Sequence, residues 1–274
     1  MDSTDLSELL LHSTIRIECT NNQTWSLGTG FFFAFSCDTS NKSIPVIVTN
    51  KQVIDGATDG KLIFSLCDEE KKYIPGKTFI YHISDFEEAW IPHPDKNVDL
   101  CVLPLSRFYD NLKPEDGHIY AMYLTEDHLL SKHDWDDVSH IEEVTIVGYP
   151  DGVWDTQNHL PLVRRGITAS SIHYDFDGQP EFIVDAAIFP GSSGSPIYLY
   201  NSGIFPARDG ILRGNRLRLL GINRAVKVHF LAGEVYDPDN PNTNSKRIEL
   251  KVPNGLGIAI HARKLLDFKA VFGI

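Results

Sequence analysis

The chain has 274 residues, of which 42% are hydrophobic, and it carries a net charge of −12 at pH 7. This length suffices for a substantial core and corresponds to one all-β domain or two smaller ones. Acidic residues outnumber basic ones by 37 to 25, and no block of lysine and arginine interrupts that balance, which argues against nucleic acid or an anionic membrane as a main partner.

The cysteines and the N-terminal segment argue against a metal-binding, secreted or membrane-spanning protein. Cys19, Cys37, Cys67 and Cys101 have no CxxC spacing, so we expect reduced, mostly packed thiols and neither a metal site nor a cofactor. The first residues, MDSTDLSELLLHST, have no basic region and no long apolar run. Because no stretch of about 18 apolar residues follows, we expect no signal peptide, no membrane span and a cytoplasmic location.

The first half of the chain has the pattern of short strands. A helix is predicted over residues 3–12, with Ser3 or Thr4 as its cap. Six segments then follow that are rich in β-branched and aromatic residues and bounded by turn formers. They are residues 14–20, 28–36, 45–50, 61–67, 77–83 and 99–105. With no helical period between them, these strands predict a closed antiparallel barrel.

Residues 106–140 are polar, acidic and rich in histidine, and we interpret them as a connector with a short helix near 125–132. Surface loops are expected at 152–160 and 233–247, the second of them mobile. A final helix is predicted over 263–272. Strand patterns resume at residues 142–150, 162–172, 181–189, 195–201, 218–226 and 256–262.

These patterns predict an all-β chain in two halves. We expect an N-terminal β-barrel over residues 1–110, a connector over 111–140 and a C-terminal β-barrel over 141–274. The two halves together would form one functional unit with short helices at its ends.

One turn contains residues that could take part in catalysis. In FIVDAAIFPGSSGSPIYLY, residues 182–200, Gly191 and Gly194 bracket Ser193, so the backbone can bend sharply and present the serine hydroxyl at its tip. The N–H groups of Gly191 and Ser193 could hold a developing oxyanion. Taken alone, the same residues also fit an ordinary Gly/Ser loop.

Other segments, taken in chain order, support a catalytic role for this turn over an ordinary loop. They are GTGFFFAF and VIVTNKQVIDGA, then NVDLCVLPL, then VGYPDG with VRRGITAS, then DAAIFPGSSGSPI followed by LLGINRAV and GLGIAIHA. This order resembles the trypsin-like serine proteases, specifically their HtrA-like and bacterial branch, from about residue 28 to 262. The resemblance implies a chymotrypsin-like fold of two antiparallel six-stranded β-barrels, with the active site in the cleft between them.

The resemblance also implies site residues. The GSSGSP turn is similar to the family's nucleophile turn, which implies Ser193 as nucleophile and an oxyanion hole around Gly191, Ser192 and Ser193. NVDLCVLPL is similar to the strand that carries the orienting carboxylate, at Asp99. The family's catalytic histidine would stand at position 52, where this sequence has Gln52.

Gln52 changes the chemistry. A serine hydroxyl is a weak nucleophile until a neighbouring base removes its proton, and imidazole suits this because its pKa, roughly 6.5, lies near neutral pH. An amide has no basic nitrogen, although Gln52 could accept a hydrogen bond from Ser193 and donate one to Asp99. In subtilisin, loss of the histidine costs about 10⁶ in turnover, or roughly 8 kcal/mol. We therefore predict that the chain is inactive or strongly impaired.

Other histidines are weaker candidates for a base. His93 precedes Asp99 by six positions and could reach the cleft, although a loop histidine near a carboxylate is more often a surface residue. His82 and His173 are expected to be ordinary strand residues. Three connector histidines could bind a metal, but a solvated segment is favoured: His128, His133 and His140.

The resemblance further implies a substrate groove. Ala187 stands six positions before Ser193, where the family places the floor of the specificity pocket, and implies small or aliphatic side chains before the scissile bond. Asp185 could be a charged specificity determinant, but a partly buried structural role is favoured. The strand at 220–226 would pair with an extended peptide. Asn223, Arg224 and Ala225 would flank that peptide, and Arg224 could favour an acidic subsite.

Three functions remain open at this point. The chain is a serine endopeptidase disabled by a substitution at Gln52, a natural pseudoprotease that binds a polypeptide or partner protein in the cleft, or an interaction module that shares only the barrels. Asp99, Ser193 and the GSSGSP turn argue against the third and mildly against the second. Fold alone decides none of this, because one fold serves many functions.

Overall fold

The chain folds into two β-sheets with few and short helices. The computed structural model describes residues 5–21, 24–37, 42–113, 117–208, 210–235 and 246–274. The strands of the first sheet are β1 Thr14–Thr20, β2 Trp25–Ser36, β3 Ser43–Thr49, β4 Asp59–Cys67, β5 Tyr73–Ser84, β6 Ile91–Pro92, β7 Cys101–Pro104, β8 His118–Tyr120 and β9 Leu124–Thr125. Those of the second are β10 Glu143–Gly148, β11 Leu162–Thr168, β12 Glu181–Ala186, β13 Pro196–Ala207, β14 Gly210–Val235 and β15 Lys246–His261. The α-helices are α1 Leu6–His12, α2 Lys51–Ile54, α3 Ser106–Asn111, α4 Lys132–Asp137 and α5 Phe268–Phe272.

The first sheet runs in the order β5-β4-β1-β2-β3-β7-β6, with β8 added to β4 and β9 added in parallel to β2. Its six longest strands are the predicted ones, and β6, β8 and β9 are additions that the sequence pattern did not indicate. Side chains of β2 alternate between two hydrophobic cores, which explains the central position of this strand in the first sheet. Phe31, Phe33 and Phe35 face the core shared with the second sheet, whereas Phe32 faces the interior of the first.

The second sheet closes into a barrel in the order β10-β11-β12-β15-β14-β13. Its strands β13, β14 and β15 extend beyond the predicted limits and form long antiparallel ribbons outside the barrel. The barrel has its own core, in which Ile146, Phe182 and Ile197 are fully buried. The predicted all-β, chymotrypsin-like double-barrel fold is confirmed, but the first sheet has nine strands rather than the predicted six, and among the described residues only the second closes fully through strand pairing.

The helices and loops differ from the prediction in several places. Helix α1 is capped by Asp5, whose carboxylate accepts the N–H of Ser7 at 3.0 Å, rather than by Ser3 or Thr4. In place of one helix near 125–132 there are a 3-10 turn, Glu126–His128, and α4. At the C-terminus a 3-10 turn, Ala262–Asp267, precedes α5 within the predicted helix.

The predicted loop at 233–247 is only partly described by the structure, whereas all four cysteines are. The ends of the predicted loop at 233–247 belong to β14 and β15, and its middle, 236–245, lies outside the described residues. The four cysteines are all free thiols, as predicted, and three of them are buried. No helix among the described residues is both long enough and apolar enough to cross a membrane.

A hydrogen bond buried between the two sheets links them at the end of α1. The hydroxyl of Tyr198 on β13, which is fully buried, lies 3.0 Å from Ser13 Oγ, just before β1. Ser13 is also fully buried, so water cannot replace the bond if it is broken.

Replacing Tyr198 therefore tests the junction between the sheets. We expect Tyr198→Phe to lower the free energy of unfolding by about 1 to 2 kcal/mol, because it leaves a buried hydroxyl with one fewer partner. Urea denaturation measures the change. Tyr200→Phe, two residues along the same strand, keeps the bond and is the control; equal losses in the two variants would contradict this role.

Candidate active site

Strand pairing brings the predicted base and orienter positions together. Strands β3 and β7 are antiparallel with Thr49 opposite Cys101, so the residues after β3 lie beside those before β7. Asn50 donates its side-chain N–H to the carbonyl of Asp99 at 2.7 Å. The backbone N–H of Gln52, in the first turn of α2, donates to the Asp99 carboxylate at 3.2 Å.

The Asp99 carboxylate is half-buried in this arrangement. Burial raises its pKa above the usual value for aspartate, and the N–H bond from Gln52 and the positive charges of Arg224 and Lys51 offset part of that effect. Desolvation therefore outweighs the donors and cations that the site supplies, and on balance the ionised form is disfavoured.

The side chains of Ser193 and Gln52 meet at one oxygen atom. Ser193 Oγ donates to the backbone carbonyl of Arg224 at 3.1 Å, and the side-chain amide of Gln52 donates to the same carbonyl. The expected bridge from Ser193 through the Gln52 amide to Asp99 is therefore replaced: the amide binds Arg224, and Asp99 is bound by the Gln52 backbone.

The peptide group before Gly191 has a fixed orientation. The carbonyl of Pro190 accepts the N–H of Asp151 at 2.6 Å. Because the C=O and N–H of a trans peptide point in opposite directions, the N–H of Gly191 points away from Asp151. Gly191 has φ +81°, and a Cβ there would lie 2.8 Å from the Tyr149 carbonyl, so this conformation requires glycine.

The peptide group before Ser193 is fixed in the same way. The carbonyl of Ser192 accepts the side-chain N–H of Asn223 at 2.9 Å, which turns the N–H of Ser193 in the opposite direction. Within the described part of the chain, neither this N–H nor that of Gly191 has an acceptor. The N–H of Ser192 is bonded to Phe189 at 3.1 Å, so the geometry provides two donors rather than the three residues named from the sequence.

Thr29 of the first sheet holds the remaining carbonyls of the turn. Its N–H donates to the carbonyl of Ser193 at 3.0 Å, and its hydroxyl donates to that of Gly191 at 3.2 Å. The same hydroxyl accepts the N–H of Tyr149 at 3.1 Å, and the Thr29 carbonyl accepts the hydroxyl of Thr49 at 2.7 Å. The turn of the second barrel is thus fixed by the first.

The predicted substrate residues lie around this turn. Ala187 is exposed, Asn223 is 1% exposed and Ala225 on β14 is half-buried. The burial of Asn223 makes it a support of the turn rather than a residue that a peptide would touch. Asp185 is exposed on β12, which corrects the expectation of a partly buried structural residue.

The Arg224 side chain has a partner of its own. Its Nε lies 2.9 Å from Glu181 on β12. Burial raises the pKa of Glu181; the positive charge of Arg224 lowers it, and the nearby charge of Asp99 raises it further. The positive charge of Arg224, which the sequence suggested could favour an acidic subsite, is therefore already paired with Glu181.

His93 is engaged elsewhere. It is 3% exposed, its Nδ1 accepts the N–H of Asp95 at 3.0 Å, and its Nε2 lies 3.0 Å from the Lys264 carbonyl. Its ring packs edge-on against Phe268. Since both nitrogens have partners in the C-terminal segment or the loop itself, the structure does not bring His93 to Ser193.

The other histidines that the sequence raised as candidates lie as follows. His82 lies on β5 as predicted, but His173 lies in a turn, where its Nε2 is 3.0 Å from the Val138 carbonyl. In the part of the chain that the structure describes, no three potential ligands converge on a metal position. The connector histidines have different neighbours: His128 bonds Thr125, His133 faces Asp137 and His140 contacts His173.

Sequence reasoning missed residues that act through contacts distant in the chain. Thr29 is one; a signal was present in Gly28-Thr29-Gly30, because Cβ atoms at the two glycines would overlap neighbouring side chains. Glu181, which pairs with Arg224, and Arg164, which donates to Ser192 Oγ at 2.9 Å, are others that no sequence pattern indicates.

Comparison with known proteins identifies the family of this chain. The family model of the trypsin-like peptidase domain matches residues 28–203, well over half of the chain. The chain therefore belongs to the trypsin-like peptidase family. A comparison with curated proteins gave no significant match.

Solved structures are similar in fold. The thermostable serine protease AL20 from an extremophilic microorganism has a TM-score of 0.50 and 10% identity, with 95% of this chain and 96% of that chain covered. The HtrA-type protease AlgW with a tripeptide has a TM-score of 0.48 and 17% identity, covering 96% and 61%. A serine-to-alanine mutant of Rv3671c from M. tuberculosis H37Rv, in its inactive form, has a TM-score of 0.46 and 14% identity, covering 98% and 89%.

Gly194 tests the close approach of the turn to the first barrel. It has φ +84°, and a Cβ there would overlap the Thr29 carbonyl and the Thr49 hydroxyl. We expect Gly194→Ala to lower the free energy of unfolding by more than about 2 kcal/mol. Gly178, at φ +72° in open space, is the control, because Gly178→Ala adds strain without crowding and costs about 1 kcal/mol. Equal losses in chemical denaturation would contradict the close approach.

The raised pKa of Asp99 predicts a pH dependence. A carboxyl whose pKa is higher in the folded state loses stabilising free energy as pH rises through that value, because the charged form is disfavoured there. Asp99→Asn should therefore stabilise the fold at neutral pH. The gain should vanish below about pH 4, where the parent carboxyl is also neutral. Unfolding free energies measured across this range test the sign, with Asp95→Asn as the exposed control. A gain that persists in acid would contradict it.

Proposed function

We propose that this chain is a serine endopeptidase scaffold whose general base is missing, so that it binds polypeptides in the cleft and hydrolyses them slowly or not at all. One observation carries the proposal: Ser193 Oγ and the Gln52 amide bind the same carbonyl oxygen, that of Arg224. The nucleophile position and the base position are therefore adjacent. The backbone of Gln52 binds Asp99 on the other side.

The proposed roles follow from these contacts. Ser193 is the nucleophile, Asp99 orients the residue at position 52, and the N–H groups of Gly191 and Ser193 receive the oxygen that becomes negative during attack. With a base in place, Ser193 Oγ would bond to the scissile carbonyl carbon as its proton passes to that base. The base would then return the proton to the departing amine.

Gln52 interrupts this sequence at its first proton transfer. Its amide nitrogen is a donor, already directed at the Arg224 carbonyl, and it has no basic lone pair. The proton of Ser193 also points at that carbonyl, which cannot accept it as a base would. We therefore expect turnover about 10⁶-fold below that of an intact relative.

The substrate class follows from the cleft. Strand β14 pairs with β13 only as far as Ile222, so an extended peptide can add to the following residues by main-chain hydrogen bonds. The exposed Ala187 favours small or aliphatic side chains before the scissile bond. We place the working unit in two barrels, residues 1–110 and 141–274, joined by the connector 111–140.

Peptide binding without cleavage is the second candidate. It is favoured by the Gln52 amide itself, which forms a bond to the Arg224 carbonyl and so keeps the cleft ordered without supplying a base. In this role the turn and Asp99 would serve recognition of a polypeptide or partner protein.

Restoring the base distinguishes a disabled endopeptidase from a peptide-binding protein. We expect Gln52→His to label with a serine-reactive fluorophosphonate and to cleave an unfolded protein at least about 10³-fold faster than the unaltered chain, because an imidazole then stands between Asp99 and Ser193. Gln52→His combined with Ser193→Ala is the control and should do neither. If Gln52→His stays inert while the unaltered chain binds peptide, the cleft serves binding; if the unaltered chain cleaves at ordinary rates, the proposal is wrong.

A further inference from the structure

A charged side chain of the closed barrel contacts the candidate oxyanion turn. On β11, Val163, Arg165 and Ile167 are exposed, whereas Arg164 on the alternate face is partly buried. An arginine on the inward face of a barrel strand carries a desolvation cost. Such a residue calls for a specific explanation from its contacts.

One nitrogen of Arg164 joins two parts of the turn segment. Nη1 donates to the carbonyl of Ala187 at 2.7 Å and to Ser192 Oγ at 2.9 Å. Ser192 is fully buried, and it stands between Gly191 and Ser193, whose N–H groups have no acceptor among the described residues. The guanidinium thus fixes the side chain of the residue between the two donors, and it also fixes the strand end that leads into the turn.

The Arg164 charge is only partly compensated. Burial lowers the pKa of Arg164 to about 10, and the negative charge of Asp151 opposes that shift; the side chain remains a cation at neutral pH. Its Nε and Nη2 are buried and have no hydrogen-bond partner among the residues that the structure describes. A cation in this state costs folding free energy, and groups of this kind are concentrated at functional sites.

We propose that Arg164 is a positioning residue for the candidate oxyanion hole: it fixes Ser192 so that the N–H groups of Gly191 and Ser193 stay aimed at the cleft, and its buried charge favours the negative oxygen of the transition state. The inference rests on the proposed function, because only an oxyanion needs that alignment and that charge. Buried, preorganised charge of this kind acts more strongly than it would in water.

The test compares Arg164→Met with Arg164→Lys, since methionine removes the charge at similar volume and lysine keeps it. Arg165→Met, the next residue on the outward face of β11 and 72% exposed at its side chain, is the matched control. Each change is made in the unaltered chain and in Gln52→His. Hydrogen exchange of the segment 187–195 is measured in the unaltered background, and kcat and KM for a peptide substrate in Gln52→His.

We expect Arg164→Met to raise hydrogen exchange of the segment 187–195 at least about tenfold and to lower kcat about 10- to 100-fold, with KM changed less than about twofold. Arg164→Lys should recover most of kcat, and Arg165→Met should change neither readout. A purely structural role would lower thermal stability without this split between kcat and KM, or would not be rescued by lysine.

Other outcomes overturn the inference. Unchanged exchange in Arg164→Met, or a loss confined to KM, would show that Arg164 does not position the turn. If Arg164→Met fails to fold, Ser192→Ala, which removes the hydroxyl that Arg164 binds, replaces it: raised exchange of the segment 187–195 relative to Arg165→Met supports the inference, and unchanged exchange overturns it. If Gln52→His with Arg164 intact is inert, the proposed function fails, and hydrogen exchange in the unaltered chain still decides whether Arg164 fixes the turn.

Discussion

The site depends on contact between one residue of the first barrel and a turn of the second. Thr29 binds the carbonyls of both Gly191 and Ser193, while Asp151 and Asn223 bind those of Pro190 and Ser192. Four successive carbonyls are thus directed into the protein. Because the C=O and N–H of a trans peptide point in opposite directions, the N–H groups of Gly191 and Ser193 point away from these contacts, and among the described residues neither has an acceptor, whereas those of Ser192 and Gly194 do.

The core explains why this contact can be rigid. A single cluster of buried side chains contains Phe33 of the first sheet, Val147 and Tyr198 of the second and Phe268 of α5. Interiors packed in this way do not deform continuously, so the two barrels keep a fixed relation along the cleft. The position of Thr29 relative to the turn is therefore set by packing that neither element could provide alone.

Much of this fold could be predicted from the sequence, and the exceptions have physical reasons. The strands of the first barrel are rich in β-branched and aromatic residues, and β1 was predicted to the residue. The ribbons of β13, β14 and β15 were underestimated, because exposed strands lack the apolar alternation on which such predictions depend. Short helices such as α4 and the 3-10 turns depend on caps and local hydrogen bonds, which hydrophobic period does not register.

The same division applies to the site. The adjacency of Gln52, Asp99 and Ser193 was predicted, because the motifs that carry them also fix the local backbone. Arg164 and Glu181 could not be found in this way, since each contacts a partner distant in the chain, and the glycines beside Thr29 indicate close packing there without indicating its partners. Asn223 was predicted to touch a peptide, but its side chain instead supports the turn from within.

A crystal structure of the unaltered chain with a bound peptide that ends in a free carboxylate tests the central claim most directly. That carboxylate stands in for the oxyanion, and no base is needed for it to bind. The account predicts one carboxylate oxygen at about 2.7–3.1 Å from the N–H groups of both Gly191 and Ser193. A turn in which the Pro190 or Ser192 carbonyl faces the cleft, with the carboxylate bound elsewhere, would contradict it.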